Sequence, residues 1–91
     1  MQTIEHLLSQ RLHAAFKPAA LELINESHLH AGHSGSEGGG QHWRVKMQAA
    51  AFATLNRVAQ HRAVYAAAGD LLQQDVHSQG YIHALALELR S

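Results

Sequence analysis

His42-Trp43-Arg44-Val45-Lys46-Met47-Gln48-Ala49 is the stretch on which the fold turns. Trp43, Val45, Met47 and Ala49 alternate with His42, Arg44, Lys46 and Gln48, and a period of two places the two sets on opposite faces of a β-strand. One face belongs to a core and the other to water. Immediately upstream, residues 28–41 include Gly38-Gly39-Gly40 and carry no apolar period, so they read as a loop. Before that loop, Ala19 to Ser27 forms a shorter strand pattern, with Leu21 and Leu23 on one face, Glu22 and Glu26 on the other, and Ile24 breaking the alternation. A long loop lets these two strands pair antiparallel without a tight turn.

Toward the N-terminus, Ile4, Leu7, Leu8, Leu12, Ala15 and Phe16 recur at three- and four-residue spacing, the stripe of an amphipathic helix. Thr3 is its expected N-cap, Glu5 sits in the first turn, Lys17 suits the negative end of the helix dipole, and Pro18 stops the helix. Beyond the central strand, helical spacing returns after Phe52 through Leu55, Val58, Val64, Tyr65, Ala68, Leu71 and Leu72, with Gly69-Asp70 either dividing two helices or tolerated within one. Residues 74–80 form a polar connection ending in a turn at Gly80. Tyr81 to Leu89 then alternates with apolar residues on both faces, which predicts a strand in or near the sheet centre. The order is helix, strand, strand, helical region, strand, and the simplest packing is an α/β (α+β) domain with a three-stranded sheet and helices on one face.

Residues 1–91 are expected to form one domain, because domains most often run to roughly 100–150 residues. Aromatics make up only 5% of the chain, so the core should be aliphatic and rich in alanine. Seven Lys and Arg balance seven Asp and Glu, an evenness that disfavours a strongly electrostatic nucleic-acid binder. Nine histidines would make the chain cationic in mild acid. The N-terminal residues lack a basic segment followed by an apolar run, and no stretch of about 18 residues is apolar, which predicts a cytoplasmic protein without a membrane span.

The chemistry concentrates in Glu26-Ser27-His28-Leu29-His30-Ala31-Gly32-His33-Ser34-Gly35. Extended backbone would point His28 and His30 to one side, and His33 lies on a glycine-flanked bend. His42 and His83 could each complete a site from other strands, and His61 and His77 are further candidates. The absence of cysteine removes disulfides, thiol nucleophiles and thiolate ligands. Iron–sulfur clusters are bound mainly by thiolates, although two imidazoles can replace two thiolates on one iron, so this chain can contribute to such a cluster only beside an external thiolate donor. Glu22 and Glu26 read as surface carboxylates, and no triad ordering, His-Glu-x-x-His helix or Gly-x-Gly-x-x-Gly turn is present, which argues against an enzyme. Nucleic-acid candidates are Arg57, His61 and Arg62 on the helical region and Arg44 and Lys46 on the wet strand face. Two Gly-x-x-Gly matches, at 32–35 and 35–38, lie between strands rather than between the two helices that flank a KH loop.

The ordered set Asn25-Glu26-Ser27, His30-Ala31-Gly32-His33, Gly35-Ser36-Glu37, His42-Trp43-Arg44-Val45, Phe52 through His61-Arg62-Ala63-Val64-Tyr65, and Ile82-His83-Ala84-Leu85-Ala86-Leu87 resembles the BolA family over nearly the whole chain. The resemblance implies a class II KH-like fold of order α-β-β-α-α-β and a heterodimer with a monothiol glutaredoxin. In it a 2Fe-2S cluster is shared between the glutaredoxin cysteine, glutathione and histidines of the BolA-like chain. Carried onto this sequence, the ligands would be His83 in the last strand and His30 in the loop, with His33 as the alternate. The implied role is iron–sulfur trafficking or iron sensing, and a weak homodimer is compatible with the free chain. Some family members are described as transcriptional regulators, for which the matching residues are Asn56, Arg57, His61 and Arg62. Departures from the family pattern are Gln60 in place of an arginine, Thr54 in place of a glycine, three glycines before Gln41, and a longer link from Tyr65 to Ile82.

Overall fold

The computed structural model describes residues 3–27, 40–74, 76–77 and 80–91. Helix α1 spans Ile4–Phe16, strand β1 Ala20–Asn25, strand β2 Gly40–Gln48, helix α2 Arg57–Ala68 and strand β3 Tyr81–Arg90, with 3-10 turns at Ala50–Thr54 and Gly69–Leu72. Thr3 caps α1 by accepting a hydrogen bond from the His6 amide at 3.1 Å. At the other end, Lys17 turns left-handed with φ 47° and donates its amide to the His13 carbonyl. Pro18 then follows as the expected stop.

Strand β2 lies in the middle of the sheet, antiparallel to β1 and parallel to β3. Its expected inner residues Trp43, Val45 and Met47 are buried, as is Ala49. They meet Ile4, Leu8 and Leu12 of α1, Val64 and Ala68 of α2, and Ile82 and Leu85 of β3 in one core. The helices thus cover one sheet face, as the stripes required. Burying each of Leu8 and Leu12 contributes about 1.5–3 kcal/mol before entropy is counted. Among the described residues no helix is long and apolar enough to cross a membrane.

The helical region does divide at Gly69, but its second piece is a 3-10 turn rather than an α-helix. Gly69 has φ 53°, a left-handed backbone conformation that favours glycine. Asn56 caps α2 by accepting from the Ala59 amide at 2.8 Å. Gln60 donates its side-chain amide to the carbonyls of Phe52 and Leu55 at 3.0 and 2.9 Å. It thereby closes the first 3-10 turn onto α2.

Three expectations are corrected. Strand β3 is an edge strand, not a central one; Ile82, Leu85, Leu87 and Leu89 face the core, while Tyr81 stands against His83 and the small Ala84 and Ala86 lie on the outer face. Val58 and Tyr65 do not join the core stripe, being 58% and 40% exposed. Instead the Tyr65 hydroxyl donates to the Leu85 carbonyl at 3.0 Å, capping a group on β3. Glu26 lies just beyond β1, and its carboxylate is paired with Arg44 at 2.9 Å.

Phe52 is 1% exposed, and its ring packs 5.1 Å from that of Phe16, joining the first 3-10 turn to α1. Phe52→Ala is expected to destabilise the protein by about 3–5 kcal/mol through lost burial and a residual cavity. Urea denaturation followed by circular dichroism checks this, and a loss below about 1 kcal/mol would contradict the packing.

Candidate metal-binding end of the sheet

The register between β2 and β3 slips at one point: Gln41 pairs with Ile82, but His42 pairs with Ala84. The extra residue is His83. A bulge of this kind changes which side chains share a face, and here both His83 and Ala84 are exposed while Ile82 and Leu85 point into the core. His83 consequently lies beside His42 on the open face, with ring centroids 5.4 Å apart and ring planes inclined by 54°. Tyr81 meets His83 edge-on at 6.2 Å.

Hydrogen bonds to its main chain hold the other histidine in place on β2. The His42 amide donates to Ser27 Oγ at 3.1 Å, and the Glu26 amide donates to the His42 carbonyl at 2.7 Å. Gly40 is in register with Tyr81. Both residues that flank segment 28–39 therefore lie at the histidine end of the sheet. His28, His30 and His33 fall in that segment, outside the described residues. Among the described residues no group of three or more His, Cys, Asp or Glu is arranged to hold a metal ion.

The remaining candidates separate. Arg57 and His61 line a groove of roughly 240 Å³ with Gln60, Leu87, Glu88 and Leu89, while Arg62 is exposed on α2. Arg44, a candidate phosphate contact, is instead bound to carboxylates on both sides, Glu26 at 2.9 Å and Glu88 at 3.0 Å. The hydrogen bond that Arg44 donates to Glu26, followed by the charge of that carboxylate, raises the Arg44 pKa above the ordinary guanidinium value. Lys46, exposed, lies in register between Glu22 and Glu88. The open face is thus a mixed-charge surface.

Sequence reasoning missed one polar cluster. Arg11 donates to the Ala68 carbonyl at 2.8 Å and to the Asp70 carboxylate, and His77 Nε2 lies 3.2 Å from the other Asp70 oxygen. These residues come from α1, the second 3-10 turn and the connection to β3, and their separation in sequence hid them. The hydrogen bond from Arg11 is the main cause holding the Asp70 carboxyl below its usual value, against an opposing contribution from burial. A carboxyl depressed by folding stabilises the fold above its unfolded pKa of about 3.9, and that stabilisation is lost as pH falls through the lower folded value. Asp70→Asn should lower the urea midpoint at pH 7, and the difference from wild type should shrink progressively below about pH 4. Equal midpoints at pH 7 would contradict the cluster.

Geometry alone defines a class: a small α+β domain with a mixed sheet that carries an imidazole pair at one end. A model of the BolA-like protein family matches residues 12–91, and the chain belongs to that family. It is 42% identical over 88 residues to a Sinorhizobium sp. relative described as "Uncharacterized protein in cobS 5'region", covering 94% of this chain and 88% of the relative. It is 33% identical over 87 residues to the Haemophilus influenzae DNA-binding transcriptional regulator BolA, covering 96% and 76% of the two chains. Among solved structures, BolA1 from Arabidopsis thaliana superposes with a TM-score of 0.70 at 28% identity, covering 91% of this chain and 85% of that one.

Proposed function

We propose that this BolA-like protein is a non-enzymatic partner of a monothiol glutaredoxin, sharing a 2Fe-2S cluster with it in iron–sulfur trafficking or iron sensing. The observation that carries the reading is an exposed His83, set on a strand bulge in a chain that has no cysteine. The donor set fits the group in one way only. This chain supplies neutral imidazole nitrogen, and the glutaredoxin cysteine and glutathione supply thiolate sulfur. His83 is the strand ligand and His30 the loop ligand, with His33 as its alternate.

The residues of this chain have definable tasks in that assembly. The β2–β3 pairing and the bulge hold the His83 backbone in place, so coordination orders little more than one imidazole. The exposure of His83 lets a second protein approach without opening the core. Mixing this protein with a cluster-loaded monothiol glutaredoxin should change the visible absorption and circular dichroism of the cluster. Replacing both His30 and His83 with alanine should abolish the change. No complex, or a spectrum indifferent to the double substitution, would sink the reading.

The name of the Haemophilus influenzae relative favours a second reading, DNA binding through α2. Arg57 in the first helical turn and the exposed Arg62 would supply phosphate contacts, beside His61. This reading predicts sequence-selective binding that survives moderate salt and weakens in Arg57→Ala and Arg62→Ala. Purely nonspecific attraction would fade steeply as salt rises, and the formal charge of zero gives it little to draw on.

A further inference from the structure

We propose that His42 and His83 form a two-imidazole chelate for a divalent transition-metal ion on this chain alone, without thiolates and without the histidines of segment 28–39. The site differs from the shared cluster described above in its ligand class, in its second imidazole and in needing no partner protein.

Distance is the first argument. An imidazole nitrogen binds zinc at about 2.0–2.1 Å, which puts the ring centre roughly 3 Å from the ion. Two rings on one ion at a near-tetrahedral angle therefore have centres roughly 5 Å apart. The His42 and His83 centroids are 5.4 Å apart, so small ring rotations bring a nitrogen from each onto a common point. Side chains two strands apart, or on opposite faces, could not do this.

Rigidity is the second. His42 is tied through its own amide to Ser27 and through its carbonyl to the Glu26 amide. His83 is carried by the bulge in β3, and Tyr81 backs its ring edge-on. Both ligands thus stand on paired strands rather than on a flexible loop, and the entropy lost on binding is that of two side chains.

Electrostatics and donor type select the ion. The acid flanking His42, Glu26, is engaged by Arg44 at 2.9 Å, so the pair offers neutral nitrogen rather than hard anionic oxygen. Imidazole suits zinc, nickel and copper and does not suit magnesium or calcium. With two protein ligands, water fills the remaining positions, and binding is weak and exchangeable.

The test is a titration of the full chain with zinc sulfate alone, following histidine side-chain resonances by ¹H–¹⁵N spectroscopy and heat by calorimetry. In wild type, the His42 and His83 imidazole signals should move together with one midpoint. In the combined variant His28→Ala, His30→Ala, His33→Ala, the midpoint of that step should stay within about twofold. His42→Gln and His83→Ala, each checked for folding by circular dichroism, should weaken the step by about tenfold or more. Independent movement of the two signals in wild type would overturn the proposal even if His42→Gln failed to fold. Loss of the His83 shift in the triple variant would overturn it as well, by assigning the ion to the 28–39 segment.

Discussion

The constraint on which this molecule depends is that β2 must pair along both edges while burying one face. Its backbone groups are satisfied by β1 on one side and β3 on the other, and an unpaired buried amide or carbonyl would cost more than any surface interaction here returns. Trp43, Val45 and Met47 then have a single face on which to be buried, and α1 and α2 are drawn to it. Because antiparallel β1 and parallel β3 flank the same strand, both residues bounding segment 28–39 end up at one end of the sheet. The connection to β3 has to return to that end as well, through α2 and two 3-10 turns.

The period-two pattern of residues 42–49 and the four-residue stripe of α1 were legible without structure because each is set by local geometry, and Thr3, Pro18 and Asn56 mark boundaries through chemistry that acts within a few residues. The place of β3 was not legible. Alternation with apolar residues on both faces signals burial, but Ala84 and Ala86 are small enough to remain at the open face, and no local feature tells an edge from a centre. Val58 and Tyr65 misled for a related reason: helical spacing fixes a face but not the width of what covers it. Only Val64 and Ala68 of α2 are buried, and Tyr65 is held at its rim by the β3 carbonyl it caps.

The candidate site divides in the same way. That His83 lies on a strand follows from its neighbours, and that the chain lacks thiolates follows from composition. Its meeting with His42 depends on one register slip between strands about 40 residues apart in sequence, and the slip has no signature in either segment. Without the bulge, strict alternation from Leu85 and Leu87 backwards would have pointed position 83 inward, into the space the core reserves for Ile82. The irregularity therefore does two things at once, keeping Ile82 buried and turning His83 outward.

Arg44 shows why the open face can stay open beside that imidazole pair. Its guanidinium reaches Glu26 just beyond β1 and Glu88 on β3, crossing the sheet over the strand that carries it. Such a half-exposed pairing contributes little to stability, but it settles where the charges go. The carboxylate of Glu26, whose amide bonds the His42 carbonyl, is committed to a cation that does not titrate in the working range of histidine. A change in imidazole protonation or ligation at His42 and His83 then meets a locally balanced surface instead of a free acid. The same balance weakens the open face of β2 as a phosphate-binding surface, since its Arg44 is already held by two carboxylates.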